Sequence, residues 1–283
     1  VTTTQNKFWQ VGQGRQLKLD ANGLIMAIVN VTPDSFSDGG LYNSSQKAID
    51  HALKCIGEGA DILDIGGEST RPGAAPVSAQ EEQDRVIPVI EALAKQSNAL
   101  ISIDTYRAST AEFAIKAGAH IINDVHGLQR EPQIANVVAN ARAGLCIMHT
   151  GRDREKLPDL IDDQKLFFDQ SLAMAHAAGI EPANIVLDPG FGFAKDTQED
   201  VELMARFSEL HSLGYPILAG TSRKRTMGAL TGRQIASERD VATNATTALL
   251  RMAGAVIFRV HNVAATRDTL CVVDAVLTAA PRR

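Results

Sequence analysis

Residues 185–193 read Ile185-Val186-Leu187-Asp188-Pro189-Gly190-Phe191-Gly192-Phe193. An aliphatic, β-branched run ends in a carboxylate, and a Pro-Gly pair then stops the strand from continuing. The stretch predicts a strand whose C-terminal tip carries Asp188. The Gly-Phe-Gly-Phe that follows lets the backbone turn closely and presents aromatic rings at the rim of whatever the carboxylate faces. Asp-Pro-Gly alone is an ordinary turn sequence. What decides the fold is that an apolar strand ending in a chemically competent group recurs along the chain.

Toward the N-terminus, residues 24–29 form a continuously apolar run that ends at Asn30, and a long loop rich in loop formers follows, from Thr32 through Phe36 to Gly40. Residues 60–65 exit through Gly66-Gly67-Glu68-Ser69-Thr70-Arg71-Pro72-Gly73, a loop that is glycine-rich, hydroxyl-bearing and basic. Strands at 99–103, 120–122 and 145–148 end in Asp104, Asn123-Asp124 and His149. Toward the C-terminus, residues 216–219 lead into Gly220-Thr221-Ser222-Arg223-Lys224-Arg225, and residues 255–260 carry Arg259 with His261 just beyond. Between these strands the apolar spacing is helical: 45–58, from a cap at Ser78 to about Gln96, 108–117, 132–141, 163–178 and 197–213, with a further pair around the last strand. Glu81, three residues after Ser78, completes a capping-box pattern.

Strands that are apolar on both faces and alternate with crossover helices imply a covered parallel sheet. The repeat length fits an α/β chain folded as a single-domain (β/α)8 TIM barrel over residues 24–280, with residues 1–23 as a short extension that the Asn22-Gly23 turn makes a candidate hairpin. An open doubly wound sheet is the alternative. Against it, the first strand-to-helix turn lacks the G-x-G-x-x-G fingerprint. In a barrel all strands point one way, so their polar tips converge on one rim.

Composition narrows the function. The chain has 283 residues, 45% of them hydrophobic, and a net charge of −5, which argues against a general nucleic-acid surface. No apolar run approaches the ~20 residues that span a bilayer, and the first residues lack a signal-peptide pattern. A cytoplasmic enzyme without a membrane partner is expected. Cys55, Cys146 and Cys271 are far apart among apolar neighbours, which favours reduced core thiols.

The rim set divides chemically. Asp104, Asn123 and Asp188 offer carboxylate acceptors and an amide, suited to an uncharged heterocycle bearing amine and lactam N–H groups. Arg71, Lys224, Arg259 and His261 are cationic donors suited to phosphate or diphosphate. Period-two alternation puts Arg259 and His261 on one face of their strand, whereas Asn123 and Asp124 face opposite ways, so only one of that pair enters the mouth. Each group has a plainer reading. Asp104-Thr105 and Asn123-Asp124 can cap the helices that follow. His149, with no nearby Cys or His, reads as a packed histidine rather than a metal ligand. Arg223-Lys224-Arg225 can be a solvated patch, although cations at a helix start oppose its dipole. Asn30 is a weak magnesium ligand unless substrate phosphates complete the shell.

These motifs, in this order over about residues 24–277, resemble the dihydropteroate synthase family: Asn30 through Gly40, Gly66 through Gly73, Ser102-Ile103-Asp104-Thr105, Ile122-Asn123-Asp124, Asp188 through Phe193, Ser222-Arg223-Lys224 and Arg259-Val260-His261. The resemblance implies a folate-pathway transferase joining p-aminobenzoate to 6-hydroxymethyl-7,8-dihydropterin diphosphate, with Mg2+ assistance and an SN1-like departure of diphosphate. It implies pterin-binding roles for Asp104, Asn123, Met148, Asp188 and Lys224, and a p-aminobenzoate side formed by Phe36, Thr70, Arg71, Pro72, Phe193, Ser222 and Lys224. Asn30 would touch the metal and, with Arg71, Arg259 and His261, would hold the diphosphate. Catalysis would fall to Asp104, Asp188, Lys224, Arg259 and His261, sulfonamides would mimic the aminobenzoate, and the active form would be a homodimer built on C-terminal helices. Two positions depart from the pattern, Ala194 where a glycine often stands and Asn262 where an aspartate is usual. Two other functions compete: a pterin-binding methyltransferase, which has no need of the Ser-Thr-Arg-Pro loop or the Arg-Val-His anchor, and a scaffold without turnover, which would have no reason to retain Asn30, Lys224, Arg259 and His261.

Overall fold

The computed structural model describes residues 7–19, 22–32, 40–69 and 75–279. Its main sheet contains β3 (Leu24–Asn30), β4 (Ile62–Gly66), β5 (Leu100–Asp104), β6 (Ile121–Asp124), β7 (Gly144–Met148), β8 (Ile185–Asp188), β9 (Leu218–Ala219) and β10 (Ile257–Val260), preceded by the short β1 (Phe8–Gln10) and β2 (Gln16–Lys18). The sheet order is β8-β7-β6-β5-β4-β3-β10-β9, with parallel neighbours throughout. A bridge between Leu187 and Ile217 joins its two ends and closes a (β/α)8 barrel. The outer ring comprises α1 (Gly40–Gly57), α2 (Ala79–Gln96), α3 (Ala108–Ala117), α4 (Ile134–Ala141), α5 (Leu160–Ala177), α6 (Thr197–Ala205), α7 (Arg225–Thr231), α8 (Asp240–Met252) and α9 (Val263–Ala279).

Strand alternation sorts the side chains into two cores. Leu63, Ile65, Ile101, Ile103, Ile122, Leu145 and Leu187 face the helices in the large outer cluster. Met26, Ile62, Leu100, Ile121, Val186, Leu218 and Ile257 fill the lower barrel interior. One pleat further along the same strands stand Asp64, Ser102, Asn123, Asp188, Gly220 and Arg259. The barrel therefore has an apolar floor and a polar upper half.

The antiparallel pair of β1 and β2 seals that floor. Trp9 is 1% exposed and packs with Val11 on the interior cluster, and its indole Nε1 donates to the Asn184 carbonyl at 2.8 Å. Asn184 in turn donates to the Gln10 carbonyl at 3.1 Å.

The capping box at Ser78 forms, and α2 and α3 keep the bounds their spacing predicts. The helix expected at 197–213 does not run through. It breaks after Ala205 into a 3-10 segment, Phe207–Leu213, in which the buried residues Phe207 and Leu210 lie three apart, the repeat of that tighter helix. α5 starts earlier than expected because the Asp159 side chain caps the backbone N–H groups of Ile161 and Asp162. Cys55 and Cys146 are buried as expected, but Cys271 is exposed on α9, because Leu270 and Val273 take the core-facing side of that helix and leave Cys271 and Val272 to solvent. Among the described residues no helix is long and apolar enough to cross a membrane.

Candidate active site

At the C-terminal mouth of the barrel lies a cavity of about 800 Å³ whose lining includes Asn30, Asp104, Phe193, Ser222, Lys224, Arg259 and His261. Asp188, Asn123 and Met148 lie deeper, 3%, 2% and 3% exposed. Gly220 is where three strand tips meet: a Cβ built there would stand 3.7 Å from Asp188 Oδ2, 3.8 Å from Arg259 Cβ and 3.9 Å from Lys224 Nζ. Met148 packs with Tyr106, Val125 and Phe193 into a small apolar wall. The acids, amide and cations that are distant in sequence thus share one chamber.

Its charges are held in a chain. Arg259 donates through Nε to Asp64 Oδ2 and through Nη2 to Asp104 Oδ2, both at 2.6 Å, and Asn123 Nδ2 donates to the same Asp64 oxygen at 3.1 Å. Burial pushes the Asp104 carboxyl up to about 7, Arg259 pulling the other way and Asp64 adding to the rise. Burial also works against the charge of Arg259, but Asp64 and Asp104 outweigh it and raise its pKa above the usual value. Asp188 is pushed up by burial, opposed by Lys224 and by the Gly190 N–H that its Oδ1 accepts at 2.8 Å. Burial lowers Lys224 to about 8 against the pull of Asp188 and Asp200. Lys224 Nζ donates to the Phe191 carbonyl and lies 4.8 Å from the centre of the Phe193 ring.

The loop after β8 is locked to the tip of β7. His149 N–H donates to the Asp188 carbonyl at 2.8 Å, and Lys195 Nζ donates to both the Gly190 carbonyl (3.0 Å) and His149 Nδ1 (2.9 Å). His149 Nε2 is 3.0 Å from Asp163. Burial, with Lys195 beside it, pushes His149 down to about 3, so the ring is a neutral packing element, as the sequence reading holds. Gly190 is obligatory here: its φ is +65°, and a Cβ would land 1.9 Å from the His149 carbonyl oxygen.

Neither pair caps the helix that follows, since α3 and α4 have Arg107 and Gln133 at their N-cap positions with no side-chain cap; the second member of each pair instead closes a turn ahead of its helix. Thr105 Oγ1 accepts the Arg107 N–H at 3.1 Å, while Asp124 accepts those of His126 and Leu128 at 2.8 and 2.7 Å. Asp104 and Asn123 are left to face inward. The basic run after β9 divides likewise: Arg223 makes a bidentate pair with Asp240 at 2.7 and 2.8 Å, and Lys224 enters the chamber. Ser222 Oγ is 2.9 Å from His261 Nδ1 and accepts the His261 N–H at 3.1 Å. Phe36, Thr70, Arg71 and Pro72 lie outside the described residues.

Among the described residues no group of three or more His, Cys, Asp or Glu could hold a metal ion. Asn30 Oδ1 and Asp104 Oδ2 lie 3.7 and 3.8 Å from a Cβ built at Gly66, so an amide oxygen and a carboxylate share the rim, the carboxylate oxygen already accepting from Arg259. The Asn30 amide oxygen fits a magnesium ion whose other ligands are phosphate and water.

Asp64 escaped the sequence reading. It is 0% exposed within β4, and its signal was an acid inside a run otherwise apolar on both faces. Both departures from the family pattern are accommodated locally. Ala194 adopts φ +51°, the left-handed region that favours glycine. Asn262 Oδ1 accepts the Ala265 N–H at 3.2 Å in the first turn of α9, while its Nδ2 donates to Asp240 at 2.9 Å, a bond that an ionised aspartate would not make.

The fold and site can be set against known proteins. The family model described as pterin binding enzyme matches residues 26–261. A dihydropteroate synthase of Streptococcus pyogenes serotype M3 is 46% identical over 257 residues, covering 90% of this chain and 96% of that one. The Xanthomonas albilineans dihydropteroate synthase solved with 4-aminobenzoic acid is 46% identical with a TM-score of 0.90, covering 95% of this chain and 97% of that one. The same species' enzyme in complex with 7,8-dihydropteroate has a TM-score of 0.87 at 43% identity, with 95% and 98% covered. The family match, the identity along nearly the whole length and the shared barrel agree with the chamber's chemistry, and the chain belongs to the dihydropteroate synthases of the pterin-binding enzyme family.

Proposed function

We propose that the chain condenses 6-hydroxymethyl-7,8-dihydropterin diphosphate with p-aminobenzoate, giving 7,8-dihydropteroate and diphosphate. The observation that carries this reading is the meeting of Asp104, Asn123, Asp188 and Lys224 beneath a mouth that also holds Arg259 and His261. The relatives are synthases along almost their full length, which favours it over a methyltransferase.

In this reading the pterin lies deepest, its amine and ring N–H groups donating to Asp188 and Asn123, with Met148 against its face. Asp104 and Asp188 stabilise positive charge that develops on the exocyclic methylene as the carbon–oxygen bond to diphosphate breaks. Arg259 and His261 hold the departing diphosphate. Asn30 would hold magnesium together with that diphosphate, and the ion would supply neutralisation of the leaving group's charge. The aromatic amine attacks the same carbon through its nitrogen lone pair and then sheds a proton. It needs no strong base, because an aniline nitrogen is nucleophilic at neutral pH. Phe193, Ser222 and Lys224, with Phe36, Thr70, Arg71 and Pro72 from the two long loops, form the p-aminobenzoate side. Sulfonamides, sharing the aniline, compete there.

Residues 24–280 act as one catalytic unit and residues 1–23 as a structural extension. The unit works in the cytoplasm as a homodimer through α8 and α9, where Leu249, Met252, Val272 and Val276 are 63%, 62%, 67% and 55% exposed. The test is an assay of diphosphate release with the pterin diphosphate, p-aminobenzoate and magnesium. Release that needs both organic substrates is expected, and release indifferent to p-aminobenzoate would refute the reading.

A further inference from the structure

Asp64 stands between the two arms of the chamber. Its Oδ2 accepts from Asn123 Nδ2 at 3.1 Å and from Arg259 Nε at 2.6 Å, and Arg259 continues to Asp104. Its Oδ1, Asn123 Oδ1 and Ser102 Oγ are buried and have no hydrogen-bond partner among the described residues. Ser102 is the register neighbour of Asp64 across β4 and β5, and Asn123 reaches Asp64 from β6, so the three orphaned atoms belong to one layer just above the apolar floor.

From this geometry we infer that Asp64 is a positioning residue for the condensation: it fixes which end of the Asn123 amide faces the pterin and holds Arg259 in register with it. A buried carboxylate oxygen accepts only the NH2 end of an amide at hydrogen-bond distance, because the carbonyl end would bring two acceptors together without a proton. Asn123 Oδ1 is thereby left as the free acceptor. A buried acceptor without a partner is costly, and a ring N–H is the complement that would satisfy it. The same carboxylate fixes Arg259 Nε, which leaves the guanidinium's remaining donors to Asp104 and to an incoming diphosphate. One side chain thus sets the orientation of the heterocycle's acceptor and the location of the leaving group's cation.

The inference rests on the proposed reaction, and it is tested so that the two can fail separately. D64N keeps the shape but offers a donor as well as an acceptor, so both amide orientations at Asn123 become acceptable. Free 6-hydroxymethyl-7,8-dihydropterin should bind D64N on the order of tenfold more weakly by calorimetry. The KM for the diphosphate ester should rise with it, while the KM for p-aminobenzoate stays within about twofold. In an Asn123→Ala background the same D64N change should alter free-pterin affinity by less than about twofold, since the amide through which Asp64 acts is gone. D64S, a smaller replacement, serves as a second variant and should show the same split. Equal losses in both backgrounds, parallel movement of both KM values with the melting temperature, or unchanged pterin affinity in either variant would overturn the inference. A wild-type chain that binds free pterin but releases no diphosphate would refute the reaction, and the calorimetric cycle would still decide the role of Asp64.

Discussion

In the proposed reaction Asp188 contributes an acceptor that the pterin cannot replace from solvent, because the carboxylate is buried and already oriented by the Gly190 N–H. Asp188→Ala should weaken free-pterin binding by about 1–3 kcal/mol, the cost of stranding buried donors, and leave the KM for p-aminobenzoate nearly unchanged. Calorimetry with unaltered pterin affinity would contradict that assignment. Ala194 illustrates the opposite case, a residue that costs stability without touching substrate. Its φ of +51° is strained for any side chain, so Ala194→Gly should raise stability by about 0.5–1 kcal/mol in urea unfolding with diphosphate release unaffected. A drop in stability would show that the alanine methyl packs usefully against Gly151, 3.3 Å away from a Cβ built there. At this scale the sequence was most legible where a polar group ends an apolar run, as at Asp104, Asn123 and Asp188. It was least legible at Asp64, which lies mid-strand: an acid inside an apolar run marks the position, but not whether it faces the barrel interior or the helices.

The elements report a second limit of the same kind. Periodicity located α2 and α3 at their observed bounds, helped by the Ser78 capping box that opens α2 and the left-handed Gly118 that stops α3. It merged α6 with the 3-10 turn Phe207–Leu213, since spacings of three and four look alike in a short apolar stripe. Packing between elements also sets the response to acid. His120, at the entry to β6, is 5% exposed and accepts the Ile101 N–H on Nδ1 at 3.2 Å. Burial, helped by Arg15, pushes its pKa down to about 4. The unfolded chain holds that proton from about pH 6.5 downward. Between those values the unfolded state binds more protons than the folded one, so His120 lowers stability as pH falls through this window. His126 and His149 act in the same direction, whereas Asp104 and Asp124, raised to about 7 and about 6, act in the opposite one. Comparing a variant isolates the contribution. His120→Gln should reduce the loss of urea-unfolding stability between about pH 7 and about pH 4.5 by roughly 1–2 kcal/mol. Equal losses in both proteins would rule out His120 as a source.

On the scale of the molecule, the outward faces of α8 and α9 carry apolar residues that no described residue covers, Leu249 and Val276 among them. If a second copy covers them, Leu249→Lys combined with Val276→Lys should sediment as a monomer while the parent chain sediments as a dimer. A monomeric parent, or a variant of undiminished mass, would remove those helices from any interface. The sequence could reveal the barrel because its strands repeat one plan. It could not reveal the surface partner, because an exposed stripe on a helix looks the same before and after it is covered.

Among the described residues, the seal that Trp9 and Val11 form with the interior cluster gives the barrel the form of a cup, floored at one end and open at the rim. Traffic through a single opening is last-in, first-out. In the proposed reaction the heterocycle must settle at the bottom on Asn123 and Asp188 before the amine arrives above it beside Phe193 and Lys224, and an amine that enters first bars the way. Excess p-aminobenzoate should therefore slow loading of the pterin diphosphate, an order of addition imposed by a hairpin on the far side of the barrel from the reacting atoms.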